Sequence, residues 1–241
     1  MSNMGVPTRA VILAGGLGTR LAPYTTVFPK PLMPVCGKPV LELVLRGLRR
    51  QGVRRATLAV SYLEELIRAF FGDGGKLGIE LDYYREETPL GTVGILSMLE
   101  DLPDPCLVMN GDTLTTMDIA AMARLHHERK AVMTVATQSR KVRIDYGVLD
   151  TNNEQDILGY REKPVLEYVV SAGVNLVSAE GRDSLRRAER CDIPTLVTRL
   201  IARRARVATY HSEAYWRDIG RPEDYEAANE EFPKIQAAFD L

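Results

Sequence analysis

In the first half of the chain, short apolar runs alternate with segments of helical spacing. Residues 9–16 (RAVILAGG) form an apolar run that ends in glycines, which is typical of a buried parallel strand leading into a loop. In residues 38–52 apolar side chains recur every three or four positions and Gly52 follows as a stop, which predicts a helix. Similar patterns predict strands at 55–61, 79–86 and 106–112, and helices at 62–72 and 91–102. The alternation predicts an α/β domain with a largely parallel sheet.

The second half of the chain is richer in strand patterns. The predicted elements are strands at 130–138, 146–152, 155–163 and 170–178, a helix at 193–204, a strand at 206–212 and a closing helix at 221–232. We interpret the strands as a continuation of the same sheet, with antiparallel members, rather than as a separate domain. Because no repeat, low-complexity tract or linker interrupts the chain, we expect one domain over residues 1–241.

The composition is that of an ordinary globular protein, with 45% hydrophobic and 26% charged residues. Lys and Arg number 31 against 32 Asp and Glu, so no overall basic field favours nucleic acid. The N-terminal segment lacks the basic and apolar regions of a signal peptide, and no apolar run reaches the length of a membrane span. Three widely spaced cysteines predict reduced thiols. We therefore expect a cytoplasmic protein without a membrane or nucleic-acid partner.

A glycine-rich loop follows the first predicted strand. Backbone N–H groups at Gly15, Gly16 and Gly18 can face phosphate oxygens because no Cβ blocks the approach. The spacing departs from the dinucleotide fingerprint G-x-G-x-x-G, because Leu21 stands at the third glycine position. The Gly-Lys-Ser/Thr of a Walker A loop is also absent. Taken alone, the glycines fit an ordinary tight turn better than a nucleotide site.

Two cations favour polyphosphate binding by this loop. Arg20 follows the glycines directly, and Lys30 stands between Pro29 and Pro31. The prolines restrict the backbone, so the Lys30 ammonium can be held near an anion with less loss of conformational entropy. We therefore predict that Arg20 and Lys30 contact a polyphosphate.

Two carboxylates far apart in the chain are candidates for a metal site. Asp112 ends the strand predicted at 106–112, at the edge of the sheet where α/β folds bind ligands. Asp218 lies between the only tryptophan and Gly220. Each aspartate alone is explained better by a turn or a helix cap. Together with a phosphate loop they predict a site for Mg²⁺ and a nucleotide, because carboxylate oxygens suit this hard cation.

Two other acidic positions have weaker signals. Glu162 and Lys163 end a predicted strand, where a surface ion pair explains them as well as a site does. Glu86 opens the segment EETPLGTVG, which resembles a second glycine loop entering a helix but carries the wrong charge for phosphate. Its carboxylate could instead accept hydrogen bonds from a base with paired N–H donors, such as guanine.

Taken in order, these motifs resemble the sugar-1-phosphate nucleotidyltransferases, also called sugar-nucleotide pyrophosphorylases, and most closely the mannose-1-phosphate and heptose-1-phosphate guanylyltransferases. The resemblance rests on LAGGLGTRL…FPKPLMPVCGKP, EETPLGTVG, NGD, EKP, SAGVNLVS and WRDIGRPEDY, from about Arg9 to Ala228. It implies a Rossmann-like three-layer α/β/α sandwich with a mixed, mainly parallel sheet. Long guanylyltransferases carry a C-terminal β-helix domain, which we do not expect in this chain.

The resemblance also implies roles for individual residues. The nucleotide would be bound by Leu13, Ala14, Gly15, Gly16, Gly18, Thr19, Glu86, Gly91 and Thr92, with Glu86 reading the base. The catalytic residues would be Arg20, Lys30, Asp112, Lys163 and Asp218, and both aspartates would hold Mg²⁺. The sugar phosphate would be bound by Gly147, Glu162, Lys163 and Asn175.

The implied reaction joins an NTP, preferably GTP, to a sugar 1-phosphate of mannose or heptose type and releases pyrophosphate. Glu86 could also accept the single N3–H of uracil or thymine, so thymidylyl-, uridylyl- and cytidylyltransferases stay alternatives. A non-catalytic sugar-nucleotide-binding homologue is disfavoured because all the candidate cations and carboxylates are present. An NAD-linked oxidoreductase is disfavoured by the missing third glycine. The oligomeric state is left open, and a homo-oligomer is one outcome.

Overall fold

The computed structural model describes residues 5–16 and 18–239. Residues 1–4, on which part of the signal-peptide prediction rests, lie outside the described residues. The strands are β1 (Arg9–Leu13), β2 (Pro34–Val35), β3 (Lys38–Pro39), β4 (Arg55–Val60), β5 (Glu80–Arg85), β6 (Cys106–Asn110), β7 (Thr113–Thr115), β8 (Met133–Arg143), β9 (Val148–Thr151), β10 (Ile157–Arg161), β11 (Val165–Val177), β12 (Val207–His211) and β13 (Trp216–Asp218). The α-helices are α1 (Val40–Arg50), α2 (Glu64–Phe71), α3 (Ile119–Glu128), α4 (Ala179–Arg182), α5 (Ile193–Ala202) and α6 (Pro222–Glu231). No helix in this part of the chain is long and apolar enough to cross a membrane.

Seven strands form the central sheet, in the order β12-β8-β11-β6-β1-β4-β5. Neighbouring strands are parallel, except that β11 runs antiparallel to both β6 and β8. The apolar runs of β1, β4 and β6 are buried almost throughout, as expected for strands covered on both faces. The prediction of a mixed, mainly parallel sheet is confirmed. The carboxyl ends of the six parallel strands share one edge, where such folds bind ligands.

Helices cover both faces of the sheet, so the predicted three-layer arrangement is confirmed. On one face, α1, α2 and α3 pack against the sheet through side chains such as Leu45, Ile67 and Met122. On the other face, α5 packs through Leu196 and Leu200. The outer side of α1 contacts α6 and the segment that follows it, which steadies the region around β13.

Several segments depart from the sequence prediction. The helix predicted at residues 91–102 is only a 3-10 turn, Gly94–Ser97. The N–H groups of Val93 and Gly94 instead donate to the carbonyl of Cys191, at 3.0 and 3.1 Å, so tertiary hydrogen bonds replace helical ones. Helix α3 was not predicted, although its Asp118 caps the N-terminus by accepting from the Ala121 N–H at 2.8 Å.

A two-stranded ribbon of β8 and β11 projects from the carboxyl edge of the sheet and carries a second hairpin. We use "the arm" for residues 138–171, which include both. Beyond residue 137, β8 pairs only with β11. The strands predicted at 146–152 and 155–163 appear as β9 and β10, which pair with each other in a separate hairpin. The prediction that they continue the central sheet is therefore wrong.

Candidate active site

The glycine loop begins at the carboxyl end of β1, between β4 and β6. The Ser61 hydroxyl donates to the Gly15 carbonyl at 2.8 Å, and the Thr25 hydroxyl donates to the Gly18 carbonyl at 2.7 Å. Gly18 has a φ of 63°, in the left-handed region that favours glycine, and a Cβ there would lie 2.9 Å from the Thr25 methyl group. The loop is thus fixed by hydrogen bonds at both ends.

Lys30 lies in the 3-10 turn Lys30–Leu32, directly after Pro29. Its side chain is only 9% exposed. The ammonium donates to Asp112 Oδ2 and lies 3.9 Å from Asp218 Oδ1. The predicted phosphate cation therefore stands between the two predicted metal carboxylates.

A short antiparallel ladder explains how the two aspartates converge. Strand β7 pairs with β13 so that Thr113 stands opposite Asp218. The Ile219 N–H also donates to the Asp112 carbonyl at 3.0 Å. Since each aspartate adjoins this ladder, their carboxylates meet beside Lys30.

Gly220 keeps the space between these charged groups open. A Cβ at this position would lie 2.9 Å from both Arg20 Nη2 and Asp218 Oδ1, and 3.2 Å from Lys30 Nζ. Any larger residue would therefore enter the point where two cations face a carboxylate. The sequence analysis assigned Gly220 no role, although its place two residues after Asp218 was the available signal.

The paired carboxylates fit a divalent cation. Asp112 Oδ1 is buried and has no hydrogen-bond partner in the described part of the chain. Burial first, and then Asp112, raise the pKa of Asp218, while Lys30 and Arg20 act in the opposite direction. No cluster of three or more His, Cys, Asp or Glu side chains occurs in residues 5–16 and 18–239. Two carboxylates suit Mg²⁺, which usually completes its coordination with water and substrate phosphates.

Arg20, Lys30 and Asp112 line a cleft of about 380 Å³ at the carboxyl edge, whereas Asp218 is not among its lining residues and adjoins it through Lys30. Most of the predicted nucleotide and catalytic residues line it: Leu13, Ala14, Gly15, Gly16, Gly18, Thr19, Arg20, Lys30, Glu86, Gly91, Thr92 and Asp112. The remaining lining residues were given no binding role by the sequence analysis: Pro31, Ala59, Pro89, Asn110 and Gly220. Of these, Asn110 ends β6 within the NGD motif, so its strand-end position could have identified it.

Glu86 lies at the other side of the cleft from the aspartates. It follows β5, whereas Asp112 follows β6, and β1 and β4 lie between those strands. Strands β5 and β6 are therefore three strand spacings apart, a distance of about 14 Å. Glu86 Oε1 accepts the Leu90 N–H at 3.2 Å, and burial raises the pKa of Glu86. The cleft thus has cations at one end and a hydrogen-bond acceptor at the other.

Thr92 has a structural role beside any binding role. Its hydroxyl accepts the Ile193 N–H at 2.7 Å, and its own N–H donates to Asp192 Oδ1 at 3.0 Å. These bonds tie the start of α5 to the wall of the cleft next to Gly91.

The predicted sugar-phosphate residues are not among the lining of this cleft. Gly147 and Glu162 flank the pair Val148–Arg161 at one end of the β9–β10 hairpin, so they adjoin Lys163 on the exposed arm. The Tyr160 hydroxyl donates to Glu162 Oε2 at 2.8 Å. Three of the four predicted residues therefore form a second group.

Asn175, the fourth, is separate from both groups. It lies in β11 between Val108 and Val135 of the neighbouring strands, and it is only 2% exposed. Its Oδ1 has no hydrogen-bond partner within the described residues. Strand β11 reaches the cleft just before Asn175, because a Cβ on Gly173 would lie 2.7 Å from Asn110 Nδ2.

The fold and the cleft define an α/β protein with a glycine-rich loop and a cation-lined cleft at the carboxyl edge of its sheet. The family model described as nucleotidyl transferase matches residues 9–234, so the chain belongs to the nucleotidyl transferase family. The resemblance inferred from the sequence is confirmed at the level of the family.

Relatives with similar sequences carry the names of sugar-1-phosphate nucleotidyltransferases. A mannose-1-phosphate guanylyltransferase of Mycobacterium tuberculosis is 34% identical over 90% of this chain and 62% of its own length. A D-glycero-alpha-D-manno-heptose 1-phosphate guanylyltransferase of Campylobacter jejuni is 31% identical over 90% of this chain and 96% of its own. A UTP–glucose-1-phosphate uridylyltransferase of Synechocystis is 30% identical over 90% of this chain and 61% of its own. The chain thus spans about three fifths of the first and third relatives.

A solved structure shares the architecture. HddC from Yersinia pseudotuberculosis, complexed with GMP-PN, superposes with a TM-score of 0.69 at 26% identity, over 93% of this chain and 99% of its own.

Proposed function

We propose that this protein is a sugar-1-phosphate nucleotidyltransferase. It joins an NTP to a sugar 1-phosphate and releases pyrophosphate, by in-line attack of a sugar phosphate oxygen on the α-phosphorus. The observation that carries the proposal is the meeting of Lys30, Asp112 and Asp218 beside Arg20, at one end of a cleft that has Glu86 at the other.

Charge is the main obstacle to this reaction, because both reactants are anions. Arg20 and Lys30 supply positive charge at the cleft, and the low exposure of Lys30 strengthens its interactions. Since the sugar phosphate is already ionised at neutral pH, the reaction needs no protein nucleophile or general base. Holding the two substrates in line can lower the barrier by up to about 7–11 kcal/mol.

Asp112 and Asp218 are proposed to hold Mg²⁺. When bound, Mg²⁺ neutralises charge on the α-phosphate and on the attacking phosphate. Lys30 then has to exchange its carboxylate partners for phosphate oxygens, because its ammonium now occupies the space between the two aspartates. The lysine would keep the carboxylates together until the substrates arrive.

The arm is proposed to bind the sugar 1-phosphate through Gly147, Glu162 and Lys163. Lys163 has a φ of 43°, in the left-handed region that lysine rarely adopts, and this is consistent with a turn shaped for binding. Asn175 is also proposed to contact the sugar, and its side chain, only 2% exposed, would be reached from the cleft end of β11.

We further propose GTP as the nucleotide and a mannose-type or heptose-type sugar. Glu86 can accept both the N1–H and the N2–H of guanine with one carboxylate. The guanylyltransferase names of two relatives support this choice, and the uridylyltransferase name of the third supports the competing one.

A matrix of substrates tests the proposal. GTP, UTP, dTTP, CTP and ATP would each be combined with mannose 1-phosphate, glucose 1-phosphate and a heptose 1-phosphate, with Mg²⁺ present and pyrophosphate release measured. We expect release only when both substrates are present, and the highest kcat/KM with GTP. Turnover with UTP or dTTP but not with GTP would show that the protein recognises uracil or thymine instead of guanine. No release with any pair would contradict the enzymatic proposal.

A further inference from the structure

The arm is attached at its root to the segment that leads into Asp218. Gln138, the first residue of the arm, donates its side-chain amide to the Ala214 carbonyl at 2.8 Å. The Trp216 indole N–H donates to the carbonyl of Ala172, directly after the arm, at 2.8 Å. Both strands that form the arm are therefore hydrogen-bonded to β13 or to the residues just before it.

A buried carboxylate adds a third attachment. Asp224 lies in the first turn of α6, and its side chain is only 11% exposed. Its Oδ1 lies 3.8 Å from Arg140 Nη2 on the arm and 3.9 Å from Arg217 Nη1 in β13. One carboxylate oxygen thus faces a cation from the arm and a cation from the strand that carries Asp218.

The two arginines are not equally available to Asp224. Arg217 makes two hydrogen bonds to Glu231, at 2.6 and 2.9 Å, so its charge is already shared with another carboxylate. Arg140 pairs with Asp224 and is 44% exposed. Because a buried carboxylate is costly unless a cation faces it, Asp224 attracts Arg140 and holds the start of the arm against α6.

The other side of this network concerns the proposed metal site. Arg217 and Asp218 are neighbours in β13, so their side chains point to opposite faces of the strand. Arg217 is held by Asp224 and Glu231 of α6, whereas Asp218 Oδ1 lies 3.9 Å from Lys30. Holding the Arg217 side chain on α6 therefore also fixes how β13 presents the Asp218 carboxylate.

We propose that Asp224 is a positioning residue, which sets the orientation of the arm relative to Asp218 through Arg140 and Arg217. The inference rests on the proposed function, in which the arm holds the sugar phosphate and the cleft holds the nucleotide. In-line attack requires a fixed distance and angle between these sites, and a displacement of about 1 Å can cost about 10²-fold in rate. The competing interpretation is that Asp224 only stabilises the N-terminus of α6, where acidic side chains are favourable.

Steady-state kinetics with the most active substrate pair test the proposal. Asp224→Asn should lower kcat about tenfold or more, because the bound substrates are no longer aligned. The KM for the NTP should change less than about twofold, since Asp224 is not part of the cleft lining. Glu223→Gln is the matched control, because Glu223 is exposed in the same turn of α6 and carries the same charge. It should retain full kcat.

Substitutions on the arm test whether Asp224 acts through Arg140. Arg140→Gln should lower kcat about as much as Asp224→Asn, and the double variant Arg140→Gln/Asp224→Asn should be no worse than either single variant. Arg140→Lys keeps a cation and should recover most of the loss. Lys141→Gln removes the neighbouring cation, which points to the opposite face of the ribbon, and should retain full kcat.

The only tryptophan of the chain gives a readout that does not depend on turnover. The Trp216 indole joins β13 to β11 at the root of the arm, so its accessibility reports whether this junction is closed. Quenching by acrylamide should rise about twofold in Asp224→Asn and in Arg140→Gln, and should stay unchanged in Glu223→Gln and Lys141→Gln. If Asp224→Asn fails to fold, Arg140→Gln, at a half-exposed position, replaces it.

Three results would overturn the positioning role in a protein that turns over. They are an unchanged kcat in both Asp224→Asn and Arg140→Gln, an equal loss of kcat in Glu223→Gln, and a double variant whose loss is the product of the two single losses. No pyrophosphate release by the unmodified protein with any substrate pair would instead contradict the proposed function. The quenching of Trp216 would then still decide whether Asp224 holds the arm to β13.

Discussion

The cleft at the end of β1 and the arm differ in how their residues are held. In the cleft, Lys30 and the loop residues rest on buried parallel strands, and the Lys30 side chain is 9% exposed. On the arm, Gly147, Glu162 and Lys163 lie on a hairpin with few neighbours, where Tyr160 is 62% exposed and Leu158 is 69% exposed. One region has its charged groups in place before any substrate binds, and the other presents them on an open surface.

The difference has a physical basis in sheet structure. Strands buried on both faces hold their carboxyl-end loops rigidly, because close packing allows little displacement. A two-stranded ribbon in water is only marginally stable by itself. We infer that the triphosphate end of the reaction is preorganised and that the sugar end gains order when substrate spans the two regions.

The largest effect is expected at the cleft, from Asp112→Asn. Loss of one of two metal carboxylates should lower kcat by about 10³-fold or more, because metal stabilisation of the transition state is worth several kcal/mol. Steady-state pyrophosphate release measures this change. Asp183→Asn, at an exposed position after α4, is the matched control and should retain activity. Unchanged turnover in Asp112→Asn would remove Asp112 from the metal site.

Lys30→Gln should have two opposite effects. We expect kcat to fall about 10²-fold, since a cation on the phosphates is lost. Binding of Mn²⁺ without nucleotide should become several-fold tighter, because the ammonium no longer occupies the space between Asp112 and Asp218.

Electron paramagnetic resonance of free Mn²⁺ measures the affinity without any turnover. Lys38→Gln removes a surface lysine that pairs with Glu42 at 3.7 Å and serves as the control. Weaker Mn²⁺ binding in Lys30→Gln would show that the lysine supports the metal rather than competing with it.

A smaller effect concerns the stability of the metal-free protein. Burial and Asp112 raise the pKa of Asp218, so the ionised carboxylate costs folding free energy, and stability is lost as pH rises through the range where Asp218 ionises. Asp218→Asn should therefore raise Tm by a few degrees at pH 7 in EDTA. The gain should vanish below the ordinary aspartate pKa, where the native residue is also neutral.

Tm measured by calorimetry from pH 3 to pH 8 gives the sign directly. Asp145→Asn, whose side chain is 76% exposed, should show no such pH-dependent gain. A lower Tm for Asp218→Asn at pH 7 would mean that attraction to Lys30 outweighs burial.

The sequence predicted the parallel half of the fold better than the antiparallel half. Buried strands such as β1 and β6 are continuous apolar runs bounded by glycine or proline, and local pattern is sufficient to find them. The β9–β10 hairpin has an equally clear strand pattern, but only long-range pairing determines that it leaves the sheet. The helix expected at 91–102 does not form for a similar reason, because the N–H groups of Val93 and Gly94 donate to the Cys191 carbonyl.

Site residues were predictable where a motif lies at a strand end, and less so elsewhere. Lys30 and Asp112 belong to recognisable segments, yet their contact with Asp218 depends on the β7–β13 ladder, which no local pattern predicts. Gly220 was missed because its role is to leave space, which becomes visible only when neighbouring side chains are placed.

The proposal that the nucleotide binds in the cleft and the sugar phosphate on the arm is tested most directly by two-substrate kinetics of Lys163→Gln. Because a charged contact to phosphate contributes about 1.5–3 kcal/mol, the KM for the sugar 1-phosphate should rise about 10- to 100-fold. The KM for the NTP should change less than about twofold, because the cleft is complete without the arm. An equal rise in both KM values, or a change confined to the NTP, would contradict the assignment of nucleotide to the cleft and sugar phosphate to the arm.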